Sequence, residues 1–205
     1  KNIFDPLNLT SIGFSVKPSE VDHFTTLYTS GAFSRDGEVV AASGLNKSEL
    51  MFSKELRSID AYDKSPYLNN SSKLYDGGSG LVSNIDDYSK FAEMLLNGGV
   101  LNGVRILSQA SVDLMARNHL SDEILSDGAA FGLEGVGMGL TVGTVMDPGL
   151  AGTYSVEGEF FWGGAASTIF WVDRKNNVTA TMMTQYMPSD KYPLREELKT
   201  LLYSG

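Results

Sequence analysis

The sequence predicts an α+β fold in which an antiparallel sheet is flanked by helices. Three patterns support this prediction: a helical apolar period after Ser83, two successive β-rich runs over residues 160–185, and a helical leucine pattern near the end of the chain. Consecutive strands joined by short turns pair antiparallel, and helices cover the apolar faces of the resulting sheet. The chain has 205 residues, 42% of them hydrophobic, which is enough for one hydrophobic core.

The composition narrows the possible functions. The net charge of −9 would repel phosphate backbones and anionic lipid, so we expect no nucleic-acid partner. Cysteine is absent and His23 and His119 are the only histidines, so we expect neither a metal site nor a cofactor. The apolar stretch at residues 128–146 contains Glu134 and six glycines, which argues against a membrane span.

Residues 1–82 are expected to be rich in loops. The first residues have the pattern of a helix end, Pro6 interrupts it, and a short extended piece follows at residues 10–16. Between Val21 and Ser72 the periodicity is poor, so we expect long surface loops with short strands, for example at residues 38–42. Loops of this length in a compact domain often form the walls of a functional site.

Residues 83–120 are expected to be helical. Ser83 begins the first helix, and Gly98-Gly99 ends it because glycine readily adopts the left-handed conformation of a helix C-terminus. Asn102-Gly103 predicts a tight hairpin, and Ser108 is expected to cap a second helix. The apolar face of the first helix consists of Tyr88, Phe91, Ala92 and Leu95.

Residues 121–205 are expected to supply the sheet and the last helix. Aromatic and β-branched residues dominate residues 160–172, residues 173–177 predict a turn, and an apolar strand follows at residues 178–185. Pro193 is expected at the first position of the final helix. No linker separates these three segments, so we interpret residues 1–205 as a single domain.

Standard catalytic motifs are missing from the sequence. It contains no G-x-G-x-x-G, no Walker loop, no G-x-S-x-G and no H-E-x-x-H. No serine is followed three residues later by lysine, so the S-x-x-K nucleophile motif is absent as well. The chain therefore carries no nucleophile that its sequence identifies.

Two glycine-dense segments are the candidate binding sites. Gly77-Gly78-Ser79-Gly80 precedes the first helix and is either a loop-to-helix connection or a place where a ligand approaches the backbone. Residues 162–168, Trp-Gly-Gly-Ala-Ala-Ser-Thr, lie within the strand-rich run. They form either a bulge in the sheet or an edge strand whose exposed N–H could stabilise an oxyanion.

The order of these blocks resembles the serine β-lactamase-like family, the group of class C β-lactamases, penicillin-binding proteins and carboxylesterases. The similarity extends over nearly the whole chain and is weakest at about residues 21–74. The blocks that carry it are Asn2-Ile3-Phe4-Asp5-Pro6-Leu7, residues 77–83 with Asp86-Asp87-Tyr88, residues 91–99, residues 101–108, Trp162-Gly163-Gly164, residues 170–173, Met183-Thr184-Gln185 and Tyr192-Pro193-Leu194-Arg195.

The resemblance implies a β-lactamase/transpeptidase-like fold with its active site between a helical region and the sheet. Family members use a serine in S-x-x-K, a Tyr-x-Asn pair and a third motif on a strand. Trp162-Gly163-Gly164 occupies the place of the third motif, in a form similar to the esterase branch. By this match Trp162, Gly163 and Gly164 would bind substrate, and the backbone N–H of Ala165 would be an oxyanion-hole donor.

The resemblance also implies that residues 1–205 are a single incomplete domain, the C-terminal part of a serine hydrolase. The first two family motifs belong upstream, so the acyl-enzyme would form on a serine outside the chain, which alone would be inactive. The expected partners are a small ester or amide substrate and the N-terminal half of the same protein, which would cover the exposed sheet edge. The alternative is a non-catalytic binding or assembly module that retains this fold.

Overall fold

A five-stranded antiparallel sheet forms the centre of the molecule. The computed structural model describes residues 1–30, 56–58, 65, 67–68, 75, 77–126, 133–189 and 191–204. Neighbouring strands follow one another in chain order, from β5 to β9. The strands are β5 (Val136–Met138), β6 (Gly143–Val145), β7 (Phe160–Gly163), β8 (Ile169–Asp173) and β9 (Val178–Met182). The structure thus confirms the predicted α+β class and antiparallel pairing.

Two strands of this sheet, β5 and β6, were not predicted because glycines obscure the strand pattern in this part of the sequence. These glycines allow close packing. A Cβ on Gly139 would collide with the backbone carbonyl of Met115, and one on Gly143 would lie 3.0 Å from the ring of Phe161. No helix in the described ranges is long and apolar enough to cross a membrane.

Helix α1 (Ile85–Leu96) covers one face of the sheet and packs on β8 and β9. Its cap is Asn84, whose side chain accepts a hydrogen bond from the Asp87 N–H at 2.9 Å. The expectation that Ser83 begins the helix is therefore wrong by one residue, because the Ser83 hydroxyl donates to the Asn84 carbonyl. The predicted end is confirmed: Gly98 and Gly99 have φ values of 63° and 91°.

The elements after α1 follow the sequence patterns closely. The hairpin of β3 (Val100–Leu101) and β4 (Val104–Arg105) turns at Asn102 and Gly103, both at positive φ. Ser108 caps the next helix as predicted, accepting from the Ser111 N–H at 3.0 Å. This helix is α2 (Gln109–Met115). Two short helices follow it in the chain, α3 (Asp122–Ser126) and, between β6 and β7, α4 (Pro148–Ala151).

The N-terminal segment packs beneath α1. Residues 3–9 form tight turns instead of the expected helix end, and Leu7 and Leu9 belong to the core. The Ser11 N–H donates to the Asp87 carboxylate at 2.6 Å, which ties this segment to the start of α1. A 3₁₀ helix follows (Pro18–His23), and β1 (Tyr28–Thr29) lies between β10 (Tyr186–Met187) and β2 (Arg57–Ser58). The strand expected at residues 38–42 lies outside the described residues.

The last helix, α5 (Leu194–Tyr203), covers the opposite face of the sheet. Side chains alternate between the faces of a strand, so Phe160 and Phe170 point towards α1 and Phe161 and Trp171 towards α5. Pro193 is the N-cap of this helix and not its first helical residue. The sheet is therefore flanked by helices, as predicted.

Candidate active site

The candidate motif spans the end of β7 and the hairpin turn that follows it. The Gly164 N–H donates to the Thr168 carbonyl at 3.0 Å, and the Ser167 N–H donates to the Gly164 carbonyl at 3.1 Å. Ser167 has a φ of 65°. Of the two alternatives for residues 162–168, the edge strand is wrong, because β7 lies between β6 and β8 and only Trp162 and Gly163 of these residues belong to it. Residues 164–168 reverse the chain because small side chains and the left-handed Ser167 permit a tight turn.

Ala165 lies in this 164–168 turn and is exposed. Within the described part of the chain, no hydrogen bond uses the N–H of Ala165 or of Ala166. Ala166 is half-buried, so Ala165 is the more exposed of these two residues. A backbone N–H without an internal acceptor is what an oxyanion hole requires. The catalytic role of Ala165 stays a prediction.

Trp162 and Gly163 pair with β8 but extend past the end of β6, the other neighbour of β7. Strand β6 pairs with β7 at Phe160 and Phe161, and its first residue lies opposite Phe161. Trp162 is 37% exposed and has the same strand parity as Phe160, so it lies on the face that α1 covers. Its substrate-binding role, like those of Gly163 and Gly164, stays a prediction.

Arg195 of α5 is a site residue that the sequence did not single out. Its Nη2 donates to the carbonyls of Gly164 and Thr168, each at 3.0 Å. The guanidinium lies directly on Gly163, where a Cβ would be 2.8 Å from Nη2 and 2.9 Å from Cζ. The sequence signal was present, since Arg195 closes one of the blocks that carry the family resemblance, but its contacts were not predictable from that block.

The chain segment that links β9 and β10 holds the turn from another side. The Ala166 carbonyl accepts from the Thr184 hydroxyl at 2.6 Å and from the Tyr186 N–H at 3.2 Å. The Ser167 hydroxyl donates to the Tyr186 carbonyl at 2.8 Å. Thr184 belongs to another block of the resemblance, and its hydroxyl gives this polar residue a structural role at the end of an apolar run.

A buried polar cluster joins α5 to the other end of β7. Glu159, which precedes β7, pairs with Lys199, and their side chains are 0% and 8% exposed. Burial raises the pKa of the Glu159 carboxyl, and the charge of Lys199 opposes that shift. Nearby, the Tyr203 hydroxyl donates to the Asp173 carboxylate at 3.0 Å and accepts from Trp171 Nε1 at 3.2 Å. Burial raises the pKa of Tyr203 above its ordinary value.

The other glycine-dense segment has a structural explanation. Gly80 has a φ of 92°, and its Cα faces the ring of Phe14. Val82 forms a β-bridge with Gly13, so this segment connects the N-terminal region to α1. These contacts favour the loop-to-helix connection over ligand binding. No group of three or more metal-ligating side chains occurs among the residues that the structure describes.

Two curated proteins are similar to part of this chain. Over 120 residues the chain is 38% identical to protein Rv1367c of Mycobacterium tuberculosis, and the match covers 55% of this chain and 29% of that protein. The chain therefore spans less than a third of that curated relative. Another Mycobacterium tuberculosis protein, MT1414, matches with the same identity and coverage.

Solved structures with the same fold include enzymes. EstCE1, described as a hydrolase with promiscuous acyltransferase activity, has a TM-score of 0.71 and 22% identity, over 98% of this chain and 48% of its own. LovD, the simvastatin synthase of Aspergillus terreus, has a TM-score of 0.67 and 20% identity, and the match covers 100% of this chain and 50% of LovD. A penicillin-binding protein homologue from Caulobacter crescentus has a TM-score of 0.57 and 13% identity, and the match covers 92% of this chain and 46% of that protein.

These likenesses show the fold, of which the chain spans about half in each solved structure. The decisive match is to a family model. The model described as Beta-lactamase matches residues 1–203, which is nearly the whole sequence. This chain is a member of the β-lactamase family and has its β-lactamase/transpeptidase-like α+β fold.

Proposed function

We propose that the protein to which this chain belongs is an esterase-type serine hydrolase that cleaves a neutral ester or amide through an acyl-serine. The observation that carries this proposal is that Ala165 is an exposed residue whose N–H has no acceptor in the described structure, directly after Trp162-Gly163-Gly164 at the end of β7. Membership of the β-lactamase family supplies the reaction class. The nucleophile would come from polypeptide outside this chain.

The proposed reaction uses this chain to stabilise charge. The serine oxygen attacks the carbonyl carbon of the substrate, its proton passes to a base, and the carbonyl oxygen becomes an oxyanion. The N–H of Ala165 and the nucleophile's own N–H would donate to that oxyanion. Collapse of the intermediate expels the alcohol or amine, which receives the proton from the base, and water then hydrolyses the acyl-serine to the acid and free serine. One such donor contributes on the order of 3 kcal/mol to transition-state stabilisation.

The uncharged side chain of Trp162 favours a substrate that has no negative charge near this residue. The family resemblance places lysine or histidine there in β-lactamases, where a cation suits a substrate carboxylate. The indole of Trp162 carries no charge, and its partial exposure leaves an aromatic surface beside the turn. We therefore propose an apolar acyl or alcohol group as the part of the substrate that contacts Trp162.

We further propose that the remaining half of the protein completes the sheet at β9. Strand β9 ends the sheet order, and in the described part of the chain no strand pairs with its outer edge. An open strand edge is stabilised by pairing with another strand. The half of the family fold that this chain does not span would supply both that strand and the nucleophile.

Hydrolysis of p-nitrophenyl butyrate by the intact protein and by this chain alone tests the proposal. We expect turnover by the intact protein and none by the chain alone. Activity of the chain alone would contradict the proposed source of the nucleophile. A folded intact protein without activity on neutral esters would refute the hydrolase proposal and favour the non-catalytic module.

A further inference from the structure

Arg195 connects the last helix to both ends of the turn that carries Ala165. We infer that Arg195 is a positioning residue, which sets the direction of the Ala165 N–H by holding the 164–168 turn. This inference rests on the proposed function, in which that N–H stabilises an oxyanion. Arg195 itself would touch neither the substrate nor the reacting atoms.

The first argument is the geometry of the contact. A single nitrogen, Nη2, binds the Gly164 and Thr168 carbonyls at 3.0 Å each, and these carbonyls belong to opposite sides of the turn. The shared donor therefore fixes the distance between the two ends of the turn. Because a guanidinium is planar and rigid, it also fixes the orientation of the groups that it binds.

The second argument is that Gly163 leaves space for this contact. Any side chain at Gly163 would begin with a Cβ 2.8–3.0 Å from three atoms of the guanidinium. Real Cβ atoms essentially never come so close to another heavy atom, so a side chain at residue 163 would move the guanidinium, the flexible end of Arg195, from its present position on the strand. The second position of the Trp-Gly-Gly motif thus has a structural requirement in addition to any contact with substrate.

The third argument is that Arg195 is itself held in place. Lys199 follows it by one helical turn on α5 and pairs with Glu159 at the start of β7. The two cations therefore attach the helix to both ends of the same strand. From the other side, the Ala166 carbonyl is held by Thr184 and by the Tyr186 N–H. The turn is thus fixed on both sides, while the Ala165 N–H has no described acceptor.

The test compares three variants of the intact protein: Arg195→Gln, Arg195→Lys and the matched control Arg105→Gln. Arg105 also donates from one nitrogen to two backbone carbonyls, those of Gly98 and Leu107 at 3.2 and 2.8 Å, but at the end of α1. For p-nitrophenyl butyrate we expect Arg195→Gln to lower kcat by roughly 10- to 100-fold with a nearly unchanged KM, because the loss concerns the transition state.

The other variants separate positioning from stability. We expect Arg195→Lys to recover part of kcat, since an ammonium reaches one carbonyl without the planar geometry. Arg105→Gln should keep the wild-type kcat even if it lowers the thermal midpoint. An unchanged kcat in folded Arg195→Gln, or an equal kcat loss in Arg105→Gln, would overturn the inference.

Amide hydrogen exchange provides a measurement that does not depend on activity. Gly164 and Ser167 donate the two hydrogen bonds within the turn. In Arg195→Gln we expect faster exchange at both amides, and in Arg105→Gln unchanged exchange. If the wild-type protein has no esterase activity, the proposed function fails, and exchange alone decides whether Arg195 holds the turn. Unchanged exchange at Gly164 and Ser167 in Arg195→Gln would refute that hold.

Discussion

Replacing Ala165 with proline is the most direct test of the proposed oxyanion hole. Proline removes the N–H and keeps the chain direction, because Ala165 is the second residue of the four-residue turn that the Ser167 N–H closes onto the Gly164 carbonyl. Proline is favoured at that position of common β-turns. The residue is exposed, and no described hydrogen bond is lost.

The expected effect follows from the loss of one of two donors. The substitution should cost about 3 kcal/mol of transition-state stabilisation. At about 1.4 kcal/mol for each factor of ten, this corresponds to a roughly 100-fold lower kcat. The assay is steady-state hydrolysis of p-nitrophenyl butyrate by the intact protein, with circular dichroism to verify folding.

Ala165→Gly is the matched control because it changes the side chain and keeps the N–H. We expect its kcat to remain within a few-fold of wild type. If Ala165→Pro is folded and retains full kcat, the Ala165 amide is not an oxyanion donor. If Ala165→Gly loses as much activity as Ala165→Pro, the side chain or the turn conformation is the cause, and the reasoning is again refuted.

Three further predictions concern the surroundings of the turn and the charge pairs. Gly163→Ala in the intact protein should displace the Arg195 guanidinium. We expect a lower kcat with a smaller change in KM, and wild-type values of both would contradict the packing argument. Lys199→Met should lower the free energy of unfolding of the intact protein by about 3–5 kcal/mol in urea, because Glu159 then stays buried without its partner; a loss under 1 kcal/mol would contradict this. The hydrogen bond from Arg174 lowers the pKa of Asp113 in the folded protein. This pair should therefore stabilise the fold at pH values above the ordinary aspartate pKa of about 4, and the stabilisation should disappear as the pH falls through the lowered pKa. Asp113→Asn should therefore lose less stability than wild type between pH 7 and pH 3, and equal losses would refute the linkage.

The arrangement of α5 explains why a buried ion pair lies so close to the proposed site. Removing both charges of Glu159 and Lys199 and filling the space with apolar groups is often neutral or stabilising in proteins, so stability alone does not account for the pair. Its position at the start of β7, one helical turn from Arg195, gives α5 a fixed register along the strand. An interface made only of apolar side chains would specify the position of the helix along the strand less well.

Much of the fold was predictable because it depends on neighbours in the sequence. The α1 apolar face, its glycine end, the Asn102-Gly103 hairpin and the Ser108 cap each follow from residues within one or two turns of one another. The succession of strands over residues 160–182 followed from aromatic and β-branched side chains. The misplacement of the α1 cap by one residue reflects a competition between Ser83 and Asn84 that only the backbone geometry decides.

The sequence by itself determined the α+β class, the family and the glycine motif that carries the candidate site. Only the tertiary structure decided that residues 164–168 form a turn, that β5 and β6 extend the sheet, and that Arg195 binds this turn. The reason is the sequence distance between partners: Arg195 follows Gly164 by 31 residues, and Lys199 follows Glu159 by 40. Local periodicity carries no information on such pairs, which form because the helix and the sheet pack together.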